Sequence, residues 1–336
     1  MMKIGVAGSG MIVRIALEAM AEIEEIAVAA ICVREQSLEI GQRLAERHGI
    51  PQVYTDYETM LRDPEVEFVY IGIVNSLHYD YAKRALQAGK HAIVEKPFTS
   101  TFEEAQELLI SAEASRSYLF EAIVTPYSPH YKQVRELLPE IGPIRLMQSN
   151  FSKRSSRYGD YLNGRILPAF DPALAGGALY DLNVYHLHMA LGLFGRPNEA
   201  RYIGNIGPNG IDTSGVLTLS YDGFAACCCA AKDSDGECFT LIQGEAGSIR
   251  IDGPPNLCSP VTLKTREREE TFTFEAPDNH MTEEFRSFAR MYRNGDRTRS
   301  LEALRHSVSV MEIATNVRRA AGIEFPADRR QAESTE

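Results

Sequence analysis

Lys3-Ile4-Gly5-Val6-Ala7-Gly8-Ser9-Gly10-Met11-Ile12-Val13 decides the fold class of this chain. A short apolar run at residues 3–7 ends in Gly8-Ser9-Gly10, and apolar side chains then recur at helical spacing at Ile12, Ile15, Ala16, Ala19, Met20 and Ile23. That order predicts strand, tight glycine turn and helix. A second apolar run at residues 26–33 is followed by Ser37 as an N-cap, an amphipathic stretch through Arg47, and Gly49 as a helix stop. The three pieces make a βαβ unit.

The alternation continues for some 120 residues. Strands are expected at residues 52–54, 68–74, 91–95 and 118–123. Between them, Thr55-Asp56-Tyr57-Glu58 and Thr101-Phe102-Glu103-Glu104 have capping-box spacing, and a helix from His78 stops at Gly89. The nearly all-apolar run at 68–74 suits a parallel sheet covered on both faces. Residues 1–121 are therefore expected to form a doubly wound, Rossmann-type parallel sheet.

Beyond residue 121 the character changes. Pro126, Pro129, Pro139 and Pro143 surround a helix, and strand-like alternation follows at 144–151, 199–206, 216–221, 224–231, 239–242, 248–251 and 261–265. Helices are expected at 282–293 and 301–320, with a frayed polar tail after Asp328. This predicts an α+β domain over 122–330, with a large, mostly antiparallel, open-faced sheet. The 336 residues suit two such domains, at roughly 150 residues each.

Composition narrows the function. A net charge of −11 without a Lys/Arg run speaks against nucleic acid as a partner. The first residues read as a buried strand and turn rather than a signal peptide, and no apolar stretch approaches the roughly 20 residues that span a bilayer. A soluble, cytoplasmic protein is expected, with no membrane partner. Cys32, Cys227, Cys228, Cys229, Cys238 and Cys258 lack zinc spacing, and adjacent strand residues point to opposite faces, so no metal is expected.

Gly8-x-Gly10 between strand and helix lets a pyrophosphate approach the backbone and rest on the helix N-terminus. Where NAD enzymes carry a carboxylate at the end of the second strand, this chain has Cys32-Val33-Arg34, which favours NADP. Gly72-Ile73-Val74-Asn75-Ser76-Leu77-His78 and Glu95-Lys96-Pro97 follow later strands, on the edge where open α/β sheets bind ligands. A third landmark is Gly176-Gly177-Ala178-Leu179-Tyr180-Asp181-Leu182-Asn183-Val184-Tyr185-His186-Leu187-His188. On a regular helix, Asp181, Tyr185 and His188 share one stripe, whereas His186 diverges from His188 and reads as structural.

These landmarks, with Ala88-Gly89-Lys90-His91 and Gly244-Glu245-Ala246-Gly247, resemble the Gfo/Idh/MocA oxidoreductases over nearly the whole chain. Phe120-Glu121-Ala122-Ile123-Val124-Thr125 looks most like the dihydrodiol dehydrogenase and sugar-reductase branch. The resemblance implies NADP or NAD held by Gly8, Ser9, Gly10, Met11, Ile12, Val33, Arg34, Val74, Asn75, His78, Glu95, Lys96 and Pro97. It places Lys96 and Asp181 beside the nicotinamide and makes Tyr185 the acid/base, with Glu121 and His188 toward the substrate. Departures are Val13 for a third small residue, Val74 for Pro, Asn183 for Gly and Pro126 for Arg.

The expected activity is hydride transfer between the nicotinamide and a carbinol or carbonyl carbon of a sugar, polyol or dihydrodiol. A phenol of ordinary pKa is a poor base at neutral pH, so an ammonium such as that of Lys96 would help it, with Asp181 orienting the hydroxyl or Lys96. Two rivals are an NAD-dependent glycosidase of the same fold and a non-catalytic nucleotide-sensing regulator. A homodimer or homotetramer is expected, because strand 216–221 carries apolar residues that one backing layer leaves uncovered.

Overall fold

The computed structural model describes residues 1–275 and 277–332. They fall into two compact units, one of Met1–Ile123 with Pro277–Val308, the other of residues from 124–276 and 309–336.

In the first unit six strands make a wholly parallel sheet: β1 (Met2–Ala7), β2 (Ile26–Cys32), β3 (Gln52–Tyr54), β4 (Phe68–Ile71), β5 (His91–Glu95) and β6 (Leu119–Ala122). The order is β3-β2-β1-β4-β5-β6, so the strand sequence reverses between β1 and β4. Loops after those two strands flank the crevice where such sheets take ligands. All four residues of β4 are buried, as a sheet covered on both faces requires.

Helix Phe102–Ser115 starts as its sequence suggests: the Thr101 hydroxyl accepts from Glu104 N, and Glu104 Oε2 accepts from Ser100 N. Helix Tyr57–Arg62 starts one residue later than the Thr55 box implies. Its cap is Asp56, whose carboxylate takes the Thr59 N–H at 2.7 Å and the Thr59 hydroxyl at 2.6 Å. A carboxylate is the stronger acceptor of the two candidates.

A split at residue 121 assigns helix Thr282–Arg293 to the second domain, but the helix packs in the first unit. Phe288 stacks on Phe120 with centroids 4.5 Å apart, Phe285 meets Tyr70 edge-on, and Tyr292 meets Phe68 and Tyr118 edge-on. Such aromatic pairs contribute about 0.5–1.5 kcal/mol each beyond the area they bury.

The second unit holds eight strands: β7 (Ile144–Ser152), β8 (Glu199–Ile206), β9 (Asp212–Tyr221), β10 (Phe224–Ala231), β11 (Phe239–Gly244), β12 (Gly247–Asp252), β13 (Val261–Thr265) and β14 (Glu269–Phe272). Their order is β14-β13-β12-β11-β7-β10-β9-β8, antiparallel throughout except for the central β7–β10 pair. Met147, Leu217, Leu219, Ala226, Cys228, Ile242 and Ile249 are buried on one face. Leu217 and Leu219 are therefore covered within the unit, and of the apolar residues at 216–221 it is Val216 that β9 brings to the partly open face. The other face presents Leu146, Val216, Ala225, Cys227, Cys229 and Leu241 partly open, with Ile203 76% exposed.

Helix Pro326–Ala332 extends past Asp328, where a frayed tail is expected; the remainder of that tail lies outside the described residues. Among the described residues no helix is long and apolar enough to cross a membrane.

Candidate active site

Gly8 follows β1 at φ +118°, a conformation open to glycine, and a Cβ there would collide with the carbonyl oxygen of Gly72. Gly10 then N-caps helix Met11–Ala21 without a side-chain cap, no acid sits in the first turn, and the space where its Cβ would lie is empty. A helix start of this kind, with open space in front of it, fits a pyrophosphate. Val13, in place of the third small residue, is fully buried, and its Cγ2 lies 2.7 Å from where a Gly72 Cβ would be. The missing side chain at Gly72 thus supplies the close packing that a third glycine gives elsewhere.

β2 leads to buried Val33 and exposed Arg34, with Glu35 exposed behind them. No carboxylate stands at the strand end, and a guanidinium does. This end fits a ribose that carries a 2′-phosphate.

After β4, residues 73–76 stay half-exposed before helix His78–Gln87 begins. His78 is itself buried, with Nδ1 2.9 Å from Pro97 O and Nε2 3.3 Å from Ile73 O. Burial pushes its pKa below the usual imidazole value, and the ring lies between the two loops, with the shorter contact made to Pro97 O. The Lys96–Pro97 peptide is cis, and Lys96 is half-buried.

Beneath that turn, Glu95 accepts from the Tyr70 hydroxyl at 2.8 Å and from Lys96 N at 3.2 Å, and Glu121 accepts from Phe98 N at 3.0 Å. Burial pushes Glu95 up to about 7. His78, Glu95 and Glu121, read from sequence as cofactor or substrate contacts, thus lie under the Lys96-Pro97-Phe98 turn and hold it. Glu284 is buried with them from helix Thr282–Arg293, and neither of its carboxyl oxygens has a hydrogen-bond partner among the described residues. Burial first, then Glu95 and Glu121, raise its pKa well above the usual carboxylate range.

In the second unit the glycine pair is dictated by close approach. A Gly176 Cβ would sit 2.6 Å from Pro168 O, and Gly177, at φ +100°, would drive one into the Asp212 carboxylate. Asp212 is buried and accepts from Leu179 N and from the Tyr202 hydroxyl, both at 2.6 Å. The turn it caps, Leu179–Asn183, is π-helical; the α-helix runs from Val184 to Phe194. Such bulges recur at functional sites.

The wider turn takes Asp181 out of regular helical register with Tyr185 and His188, which stay three residues apart on the α-helix. Asp181 keeps 35% of its side chain exposed and Tyr185 is 8% exposed, whereas His188 is fully buried. His186 is structural as expected, with Nδ1 2.8 Å from Asn183 Oδ1 and its pKa pushed by burial down to about 3. Sequence reasoning missed Lys232, whose Nζ is 2.7 Å from Asp181 Oδ2. The available signal was a lysine directly after a buried strand, the same signal that marks Lys96.

Residues 2–123 match the model of an oxidoreductase family with an NAD-binding Rossmann fold, and residues 131–250 match the GFO/IDH/MocA C-terminal domain. The chain belongs to the Gfo/Idh/MocA family. Within it, scyllo-inositol 2-dehydrogenase (NADP(+)) IolU of Bacillus subtilis is 31% identical, over 98% of this chain and 99% of that one. A trans-1,2-dihydrobenzene-1,2-diol dehydrogenase of Danio rerio is 30% identical over 77% of this chain and 75% of its own. Among solved structures, KijD10, a 3-ketoreductase from Actinomadura kijaniata in complex with TDP-benzene and NADP, is 25% identical at a TM-score of 0.79, covering 94% of this chain and 96% of that one. This Gfo/Idh/MocA member is an NAD(P)-dependent oxidoreductase acting at a CH–OH or carbonyl carbon.

Proposed function

We propose that the enzyme moves a hydride between NADP, in preference to NAD, and a polyol, sugar or dihydrodiol carbon, with Lys96, Tyr185 and Asp181 as its catalytic residues. The observation that carries this reading is the Lys96 turn, held from below by His78, Glu95 and Glu121 on the ligand-binding edge of the parallel sheet. The scyllo-inositol and dihydrodiol relatives support the substrate class. The bound nicotinamide supplies or accepts the electron pair. In oxidation Tyr185 takes the hydroxyl proton, Lys96 stabilises the resulting phenolate, and Asp181 orients the hydroxyl; in reduction Tyr185 returns the proton. Cys32, Cys227, Cys228, Cys229 and Cys238 are free thiols, which supports a reducing, cytoplasmic setting.

Sugars, polyols and dihydrodiols assayed with NADP and NAD at the nicotinamide absorbance test this reading. Turnover is expected with at least one of these classes and NADP. Arg34→Ala should weaken NADP binding by roughly tenfold, the loss of one charge-assisted contact, and leave NAD binding nearly unchanged. Equal NAD and NADP affinity in the parent enzyme, untouched by Arg34→Ala, would overturn the cofactor preference. Conversion of a glycoside without added nicotinamide would replace the reading with glycosidase chemistry.

The enzyme is proposed to be a homodimer or homotetramer joined through the open sheet face, where Ile203 and Ala225 are exposed and Leu146, Val216 and Leu241 partly so. Light scattering at micromolar concentration should give at least twice the chain mass, and Ile203→Lys should lower it; a monomeric parent counts against the surface.

A further inference from the structure

Lys232 directly follows β10, and its backbone is held on both sides. Its N–H donates to Thr213 O at 2.8 Å, and its carbonyl accepts from Ser155 N at 2.8 Å. The side chain is 3% exposed. Its ammonium has three protons. One meets Asp181 Oδ2 at 2.7 Å, another Ala169 O at 2.6 Å, and the Phe170 ring lies 4.8 Å away as a cation–π partner. Buried and held by these contacts, the ammonium is a fixed charge beside Asp181.

The pair is asymmetric in burial. Asp181 is the member that reaches the surface, and it lies on the π-helical turn whose backbone Asp212 caps. Removing the lysine leaves a carboxylate that water can solvate. Removing the carboxylate strands an ammonium in the interior, which is the costlier change.

We propose that Lys232 is a positioning residue for the reaction: it holds Asp181 as an oriented carboxylate, while Asp212 fixes the backbone of the same turn. This rests on the reading above in which Asp181 orients the substrate hydroxyl. A carboxylate held in this way accepts hydrogen bonds and donates none. In oxidation the substrate must therefore present a hydroxyl to Asp181, and an analogue with a methoxy group there is a poor substrate.

The test compares Lys232→Met, Asp181→Asn and the double variant with the substrate found in the NADP-linked assay, alongside thermal melts without substrate. Each single change should lower kcat at least roughly tenfold while the KM for NADP stays put, and the double variant should lose no more than Asp181→Asn alone. Asp181→Asn should lower Tm by roughly 5 °C, and adding Lys232→Met should recover part of that loss. A lysine with a merely structural role would instead lower Tm with kcat intact, or lower kcat further in the Asp181→Asn background. Either result overturns the proposal. If Asp181→Asn keeps full kcat, the catalytic reading of Asp181 falls and Lys232 falls with it. If Asp181→Asn loses activity and Lys232→Met does not, only the role of Lys232 falls. Should Lys232→Met not fold, Lys232→Gln, which keeps a donor for Ala169 O, carries the same comparison.

Discussion

Lys96→Met is expected to lower turnover at least as far as Tyr185→Phe, each by roughly 10²–10⁴-fold, with the double variant little slower than either. The reason is chemical. A phenol becomes an effective base near neutral pH when a neighbouring cation stabilises its anion, so lysine and phenol contribute to one proton transfer and their losses do not multiply. Cofactor binding, followed by fluorescence titration, should be nearly retained. Folding should be unaffected, because Tyr185→Phe keeps the ring that packs 6.0 Å from Phe151, and Lys96 lies only half-buried on its turn. Losses that multiply would separate the two residues. Near-full activity of Tyr185→Phe would remove the phenol from the mechanism.

The second large effect is on stability. Glu284 is buried without a hydrogen-bond partner, against Glu95 and Glu121, and its pKa is raised in the folded state. A group raised in this way binds its proton more tightly folded than unfolded. Its contribution is intact below the unfolded value of 4.5 and is lost as pH rises toward the folded value. Glu284→Gln removes that dependence. The variant should gain stability on the parent as pH rises from 5 to 7, because the parent loses the contribution of the bound proton over that range and the amide has none to lose. Taking the difference between variant and parent cancels the buried histidines, whose pKa values are lowered and whose contribution has the opposite slope. Urea titrations of both proteins at pH 5 and pH 7 measure it. A difference that stays constant with pH, or a variant less stable at pH 7, would show that Glu284 carries no raised proton affinity.

Much of the first unit was legible because its signals are local. Residues 3–13 contain the strand, the two turn glycines Gly8 and Gly10 and the helix start, and Thr101 and Glu104 announce their own cap. Of the proposed catalytic residues, Lys96 was legible as a charge placed directly after a buried strand. What stayed hidden depends on partners distant in sequence. The π-helical turn cannot be read from Leu179 to Asn183, because the same side chains suit an ordinary helix; Asp212 takes the Leu179 N–H from a strand far downstream. Lys232 lies distant in sequence from Asp181, and only the fold joins them. Strand β14, with Glu269 and Glu270, has no apolar alternation of its own and forms by pairing with β13. Glu95, Glu121 and Glu284 have nothing in their spacing that separates a surface carboxylate from a buried one.

Helix Thr282–Arg293 returning to cover Phe68, Tyr70 and Phe120 also bears on the order in which the protein can mature on the ribosome. At roughly 5–20 residues per second, the roughly 150 residues between Ile123 and Pro277 take on the order of ten seconds to make. Through that interval the nascent parallel sheet lacks its aromatic cover, while all eight strands of the second unit emerge and can pair. The N-terminal sheet is therefore translated first and completed late, and its uncovered aromatic side chains are a natural substrate for a chaperone during synthesis.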